Sequence, residues 1–335
     1  MTSTVSGDAA ITYDRRHASG IVVALVLLVP AVLAGIVAVF VALAVNAGPH
    51  QVPIGVAAPP QVVQTLETSI AAQAGGDAFD LRAVDDEAQA RTGLRERTLD
   101  GAIVVDQRGV TVLTADAGSV PLAQVVTSLG TGIAQAQSVP VTVVPVVAAP
   151  VDDPRGSGLA AGLLPTLIAG LVTGAIAGLV LAGRLALQVV ALVLGPLVAG
   201  FAFAGVWQGL GAIDGHVVAV ALSAALMIGA IAWFTAGAAA ALGVGGLGLS
   251  AVLMILIANP LSGLMASPRL VPSPWGEVGQ WLPPGAGGTL LRSSAFFPDA
   301  TTGVAGPAWV LAGWVVLGAG MLAVGVLRGR RTAAA

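Results

Sequence analysis

Asp85, Asp86, Glu87 and Asp100 are the residues of this chain whose type and spacing first raise the question of chemistry. Carboxylates so close in sequence can share a proton as an acid–base pair or ligate calcium. The surrounding pattern favours a simpler role. No D-x-D-x-D-G loop is present, and an acidic first helical turn on a solvated face accounts for the spacing. The histidines, His17, His50 and His216, sit at edges of apolar runs and are too scattered to suggest a site. The stretch "GVGGLG" matches G-x-G-x-x-G through Gly243, Gly245 and Gly248. A dinucleotide loop needs a strand before it, a helix after it and an acidic residue about twenty positions on. That context is missing, so a tight glycine turn between two apolar helices is expected.

The 14 basic residues are all Arg, and the chain has neither Lys nor Cys. A P-loop lysine, a Schiff base, a catalytic thiol, a disulfide and a Cys-ligated metal are therefore excluded. No Gly-x-Ser-x-Gly elbow supports a hydrolase. A net charge of -3 leaves no electrostatic footprint for nucleic acid. The chain is expected to be neither an enzyme nor the holder of a cofactor or metal.

The elements that would have to position any site are mostly apolar. Hydrophobic residues make up 56% of the 335 and charged ones 9%, too little polar surface to cover a soluble globule. Runs long enough to cross a bilayer, roughly 20 residues each, fall at 20–45, 159–183, 185–207, 217–242, 244–265 and 308–327. The first is too long for the apolar core of a secretory signal and is expected to be an uncleaved anchor, closed at Gly48 and Pro49. The expected fold class is an α-helical membrane protein of six transmembrane helices, with an extracytoplasmic α/β domain inserted between helices one and two. Its order would be a cytoplasmic segment at 1–19, helix one at 20–48, the α/β domain at 49–157 and a five-helix region at 158–328. That region would contain an outer amphipathic segment at 268–305, and a cytoplasmic tail would follow at 329–335.

Arginine placement sets the expected orientation, because cytoplasmic flanks carry an excess of positive charge. Arg15 and Arg16 precede the first run, Arg184 falls between the second and third, and Arg328, Arg330 and Arg331 follow the last. All agree with both termini inside. The stretch 50–157 is then outside, and its six Arg against twelve Asp plus Glu give it an acidic balance. Its pattern predicts strands at "VPIGVAA", "FDLRAV", "LDGAIVVD", "GVTVLTAD" and "VPVTVVPVV". Helices are predicted at 59–76, at "DDEAQARTGLRERT" with Asp85 as N-cap, and at "VPLAQVVTSLGTGIAQAQ".

Inside the six apolar runs there is no ionisable residue, so the mid-membrane machinery of an ion-coupled carrier is missing. Gly170, Gly174 and Gly178 recur at four-residue spacing and leave one helix face bare for helix packing or a dimer contact. The segment "PWGEVGQWLPPGAGGTLLR" interrupts the last two runs. On a helix Trp275, Val278, Trp281 and Leu282 share a face, which predicts a piece lying flat at headgroup level as an outer gate or clamp. Pro283, Pro284 and the following glycines are expected to end that helix, leaving Arg292 at the rim.

Three stretches carry a family resemblance. "DDPRGSGLAAGLLPTLIAG", "ANPLSGLMASP" followed by "WLPPGAGGTLLR", and "EAQARTGLRERTLDGAIVV" resemble the phage-infection-protein-like group of bacterial type-2 ABC exporter permeases, as does the order of the elements. The resemblance implies a plasma-membrane permease half that pairs with a second copy or a similar chain. It also implies a separate ATP-binding subunit that uses the ATP, touched by the segment around Arg15 and Arg16 and by the turn at Arg184. The apolar, uncharged spans favour a hydrophobic or amphipathic, lipid-like cargo over sugars or ions, and membrane lipid is an expected partner. The same superfamily also implies an alternative role as an envelope receptor or secretion scaffold acting through the outer domain.

Overall fold

The computed structural model describes residues 26–27, 29–59, 63–64, 77–300 and 302–334. Arg15, Arg16, the start of the first apolar run and most of the helix expected at 59–76 lie outside the described residues. The chain forms two compact units, 1–45 and 46–335. The described part of the first is α1 (Val29–Val45), an uncharged apolar helix of 17 residues.

The second unit begins with a five-stranded sheet. Its strands are β1 (Val52–Ala57), β2 (Phe79–Ala83), β3 (Gly101–Asp106), β4 (Gly109–Thr114) and β5 (Val141–Pro145), in the order β2-β1-β3-β4-β5. β1 runs parallel to both β2 and β3, β3 and β4 form an antiparallel hairpin, and β4 and β5 are parallel. The hairpin turns at Gln107 and Arg108, where the Asp106 carboxylate accepts the Arg108 and Gly109 amides at 2.8 and 3.2 Å, a side-chain substitute for backbone turn bonds.

Helix α2 (Glu87–Arg95) joins β2 to β3 and α3 (Val120–Gln137) joins β4 to β5. Asp86, and not Asp85, is the N-cap of α2. Asp86 is extended and its side chain accepts the Gln89 amide at 2.8 Å, while the Asp85 amide donates to the Gln89 side chain. This reciprocal pairing moves the helix start one residue later. On one sheet face Leu122, Val126 and Ala134 of α3 cover Ile54, Ile103 and Val112. On the other, Ala90 and Leu94 of α2 meet Ala102 and Leu113 together with Phe297 and Ala300. The sheet core is therefore completed from far outside 49–157.

Five helical stretches are long and apolar enough to cross a membrane among the described residues: Ser157–Val180, Leu185–Gly209, Val217–Leu242, Val244–Leu261 and Gly303–Arg328. They are labelled α4 (Ser157–Ala175, continued by a π-helical turn Ile176–Val180), α5 (Leu185–Gly209) and α6 (Val217–Leu242). α7 starts at Val244–Ala251 and continues through the π-helical Val252–Ala258, and the final span belongs to α10 (Thr302–Ala334). Asp153 starts α4 by accepting the Ser157 and Gly158 amides at 3.1 and 2.6 Å, which places negative charge at the positive end of the helix. In the "GVGGLG" stretch the reversal is made by Gly243 alone, at φ 62°, and the other glycines belong to α7. The π-helical turns of α7 precede Pro260, which has no amide to donate back along the helix.

α6 is the central post. Its small side chains let α4, α5, α7 and α10 approach closely, and 67% of its most apolar stretch is buried against 17% for α10. Gly170 of α4 abuts Ile231, Gly174 abuts Thr235 and the Ala232 carbonyl, and Gly178 abuts Ala236 and Ala239. The glycine face is thus occupied by α6 within the same chain. Gln188, buried on α5, donates 3.0 Å to the Ala177 carbonyl in the π-helical turn of α4. A carbonyl displaced from regular helical bonding there gains a partner.

Candidate functional site

Between α7 and α10 the chain forms two further helices. α8 (Trp275–Gln280) ends at Trp281, and Pro283 opens a further helix, α9 (Pro283–Phe296). The prolines end one helix and begin the next, as proline's fixed φ and missing amide permit in a first helical turn. Two contacts give the direction of this hairpin. Near the end of α9, Ser293 Oγ donates to the Gly303 carbonyl at 2.8 Å, while at the hairpin bend the Trp281 carbonyl accepts Trp314 Nε1 at 2.9 Å. Gly303 and Trp314 are eleven residues apart on α10, about 16 Å of helix rise. The bend therefore reaches well down the bundle and α9 climbs back to the sheet domain. Packing agrees, with Gly287 against Met227 and Ser294 at 2.7 Å from Ser223.

The residues of the expected amphipathic face are mostly exposed. Trp275, Val278 and Trp281 are exposed, Leu282 is half-buried, and Gly276 and Gly279 are what α8 presents inward. Gln280 is a working contact, accepting from Thr289 Oγ1 at 2.6 Å and donating to the Ser262 carbonyl at 3.2 Å. Arg292 is not at a rim. It is 7% exposed and donates to the Leu264 carbonyl. Arg184 lies exposed in the turn Leu181–Arg184 between α4 and α5, away from this site in the fold.

The hairpin and α10 form an open apolar groove of about 800 Å³, lined by Trp281, Pro307, Trp309, Val310, Gly313, Trp314 and Leu317. Trp314 is fixed edge-on against Phe234, with ring centres 4.9 Å apart, as well as by its indole hydrogen bond. At one end the groove reaches Gln280, Thr289 and Gly303, and these same residues line a second, polar cavity of about 350 Å³. That cavity lies between the sheet domain and the helices and adds Arg97, Asp100, Arg269, His50 and Glu277.

Its charges are held by long-range contacts. Arg269 Nε pairs with Asp100 Oδ2 at 2.7 Å, and Arg269 also donates to the Gln51 carbonyl. Arg97 donates to Ser293 Oγ at 2.6 Å and the Thr289 carbonyl at 3.3 Å, with its guanidinium 4.8 Å from the centre of the Phe297 ring. Burial pulls the Arg97 guanidinium below its ordinary pKa, with Asp100 opposing and Arg269 adding to the effect. Burial pushes the Asp100 carboxyl up against the pull of Arg269 and Arg97. Arg97 also occupies a left-handed backbone position, φ 58°, just past the end of α2, where glycine is the usual residue.

The site can hold a molecule that is apolar at one end and polar at the other. No cluster of three or more His, Asp or Glu able to hold a metal occurs among the described residues. Of the residues expected from sequence, Trp281 lines the groove and Arg292 is buried against the Leu264 carbonyl; Gly170, Gly174, Gly178 and Arg184 belong elsewhere. Arg97, Asp100, Arg269, Gln280, Trp309 and Trp314 complete the site and have no local motif. The available signals are an arginine at a helix C-terminus where glycine is usual and the charge of "SPRLVPSP" between two apolar runs. Comparison with protein-family models, with curated proteins and with solved structures finds no match to this chain.

Proposed function

We propose that this chain is the membrane-spanning half of an ATP-driven exporter of the type-2 ABC kind, moving a hydrophobic or amphipathic substrate outward across a bacterial plasma membrane. It would contribute six spans, with both termini cytoplasmic and the sheet domain outside. A second copy or a similar chain completes the permease, and a separate subunit binds and hydrolyses ATP. The observation that carries this reading is the continuity of the apolar groove with the polar cavity, which suits a substrate with both characters. The lack of ionisable residues in the apolar runs supports an energy source outside the chain.

The test is affinity capture of the tagged chain in mild detergent, with mass spectrometry of what accompanies it. An ATP-binding subunit is expected, its hydrolysis stimulated by this chain and the stimulation weakened by Arg184→Glu. Capture of envelope proteins without any ATPase would overturn the permease reading. It would favour a receptor or secretion scaffold, for which β5 offers an edge strand with Val141 and Val143 exposed.

A further inference from the structure

Two guanidiniums, those of Arg97 and Arg269, line the cavity where the groove meets the sheet domain, and that of Arg292 is buried against the Leu264 carbonyl. Arg97 is near enough to Arg269 and to Arg292 to feel the charge of each. Asp100 is the carboxylate held inside this cluster, paired with Arg269. Glu277 lies exposed on the cavity lining, and the His50 ring is engaged with the Gly48 carbonyl at 2.6 Å. Arg97 and Arg269 outnumber Asp100, the one inner carboxylate of the lining. With the exposed Glu277 counted the lining itself is balanced, and the buried Arg292, close enough to feel the charge of Arg97, tips the surroundings positive. Such an excess in a half-buried place is costly without a counter-anion.

We infer that groove and cavity together bind one anionic membrane lipid, its acyl chain along α10 between Trp281 and Trp309 and its phosphate beside Arg97 and Arg269. Guanidinium forks suit phosphate oxygens, and positive surroundings favour a headgroup that carries no cation of its own to offset the phosphate. A choline headgroup would seek an aromatic face, and the Phe297 ring is already covered by Arg97. This deepens the amphipathic-substrate reading and rests on it for the step after binding, namely export.

The experiment uses the purified full chain in neutral detergent, titrated with phosphatidylglycerol or phosphatidylcholine of identical acyl chains and read by native mass spectrometry. Phosphatidylglycerol is expected to bind roughly tenfold more tightly. Arg97→Gln together with Arg269→Gln should bring the two lipids near parity, while Trp309→Ser should weaken both and leave their ratio unchanged. Arg269→Lys keeps the charge opposite Asp100 and should keep most of the preference, which decides the matter if the double variant does not fold. Equal binding of the two lipids by the wild type, or displacement of bound lipid by millimolar inorganic phosphate alone, overturns the inference. A lipid preference without ATP-dependent transport sinks the export reading and leaves this one standing; transport without the preference does the reverse.

Discussion

At the scale of single residues, Asp100 shows two effects pulling against each other. Its ion pair with Arg269 favours the carboxylate, yet burial outweighs the pair and raises the pKa above the ordinary 3.8. An acid raised on folding binds protons more tightly in the folded state, so its stabilising share is complete below about pH 3.8 and is lost as pH rises through the folded value. Thermal melts of the detergent-solubilised protein should therefore fall from acid toward neutral pH more steeply in the wild type than in Asp100→Asn. Parallel melting curves would mean that folding leaves the Asp100 pKa unshifted. Sequence alone put Asp100 among four neighbouring carboxylates and could not single it out. Its partner lies 169 residues further along the chain, and no local pattern reports a pairing across that distance.

At the scale of elements, the chain's own periodicities were most informative where neighbours are local. The helix at 120–137 and the hairpin at 101–114 follow from their capping serine, apolar spacing and turn residues. The glycine stripe on α4 was legible as a bare face, but its occupant was not, because a stripe does not say what fills it. Gly174→Ala tests the occupant found here. The added Cβ would lie 2.5 Å from the Ala232 carbonyl, so a loss of about 1–3 kcal/mol from overpacking is expected, partly offset by alanine's better helix propensity. Gly205→Ala on α5 meets nothing within 4 Å and should be neutral or mildly stabilising. Similar melting temperatures for the two variants would mean that the α4–α6 approach is looser than described. The hairpin of α8 and α9 escaped the sequence reading for another reason. Prolines that end one helix and prolines that open the next look alike until the packing around them is known.

At the scale of the whole molecule, sheet and bundle are joined through a side chain. Phe297, 3% exposed, fills the sheet core beside Leu94 and Leu113 while Arg97 covers its ring. Phe297→Ala should cost about 3–5 kcal/mol and should speed amide hydrogen exchange in α2 and β4, although neither carries the substitution. If exchange rose only in α9 and α10, the sheet would be independent of the bundle. The borrowed ring also bears on how the protein is made. A ribosome completes β5 at residue 145 roughly 150 residues before it reaches Phe297, a wait of about 8–30 seconds at common synthesis rates. During that interval the sheet has an open socket on one face while the spans between are being threaded into the bilayer. The nascent chain has to be kept from aggregation through that gap, and the sheet can close only once the hairpin has been placed.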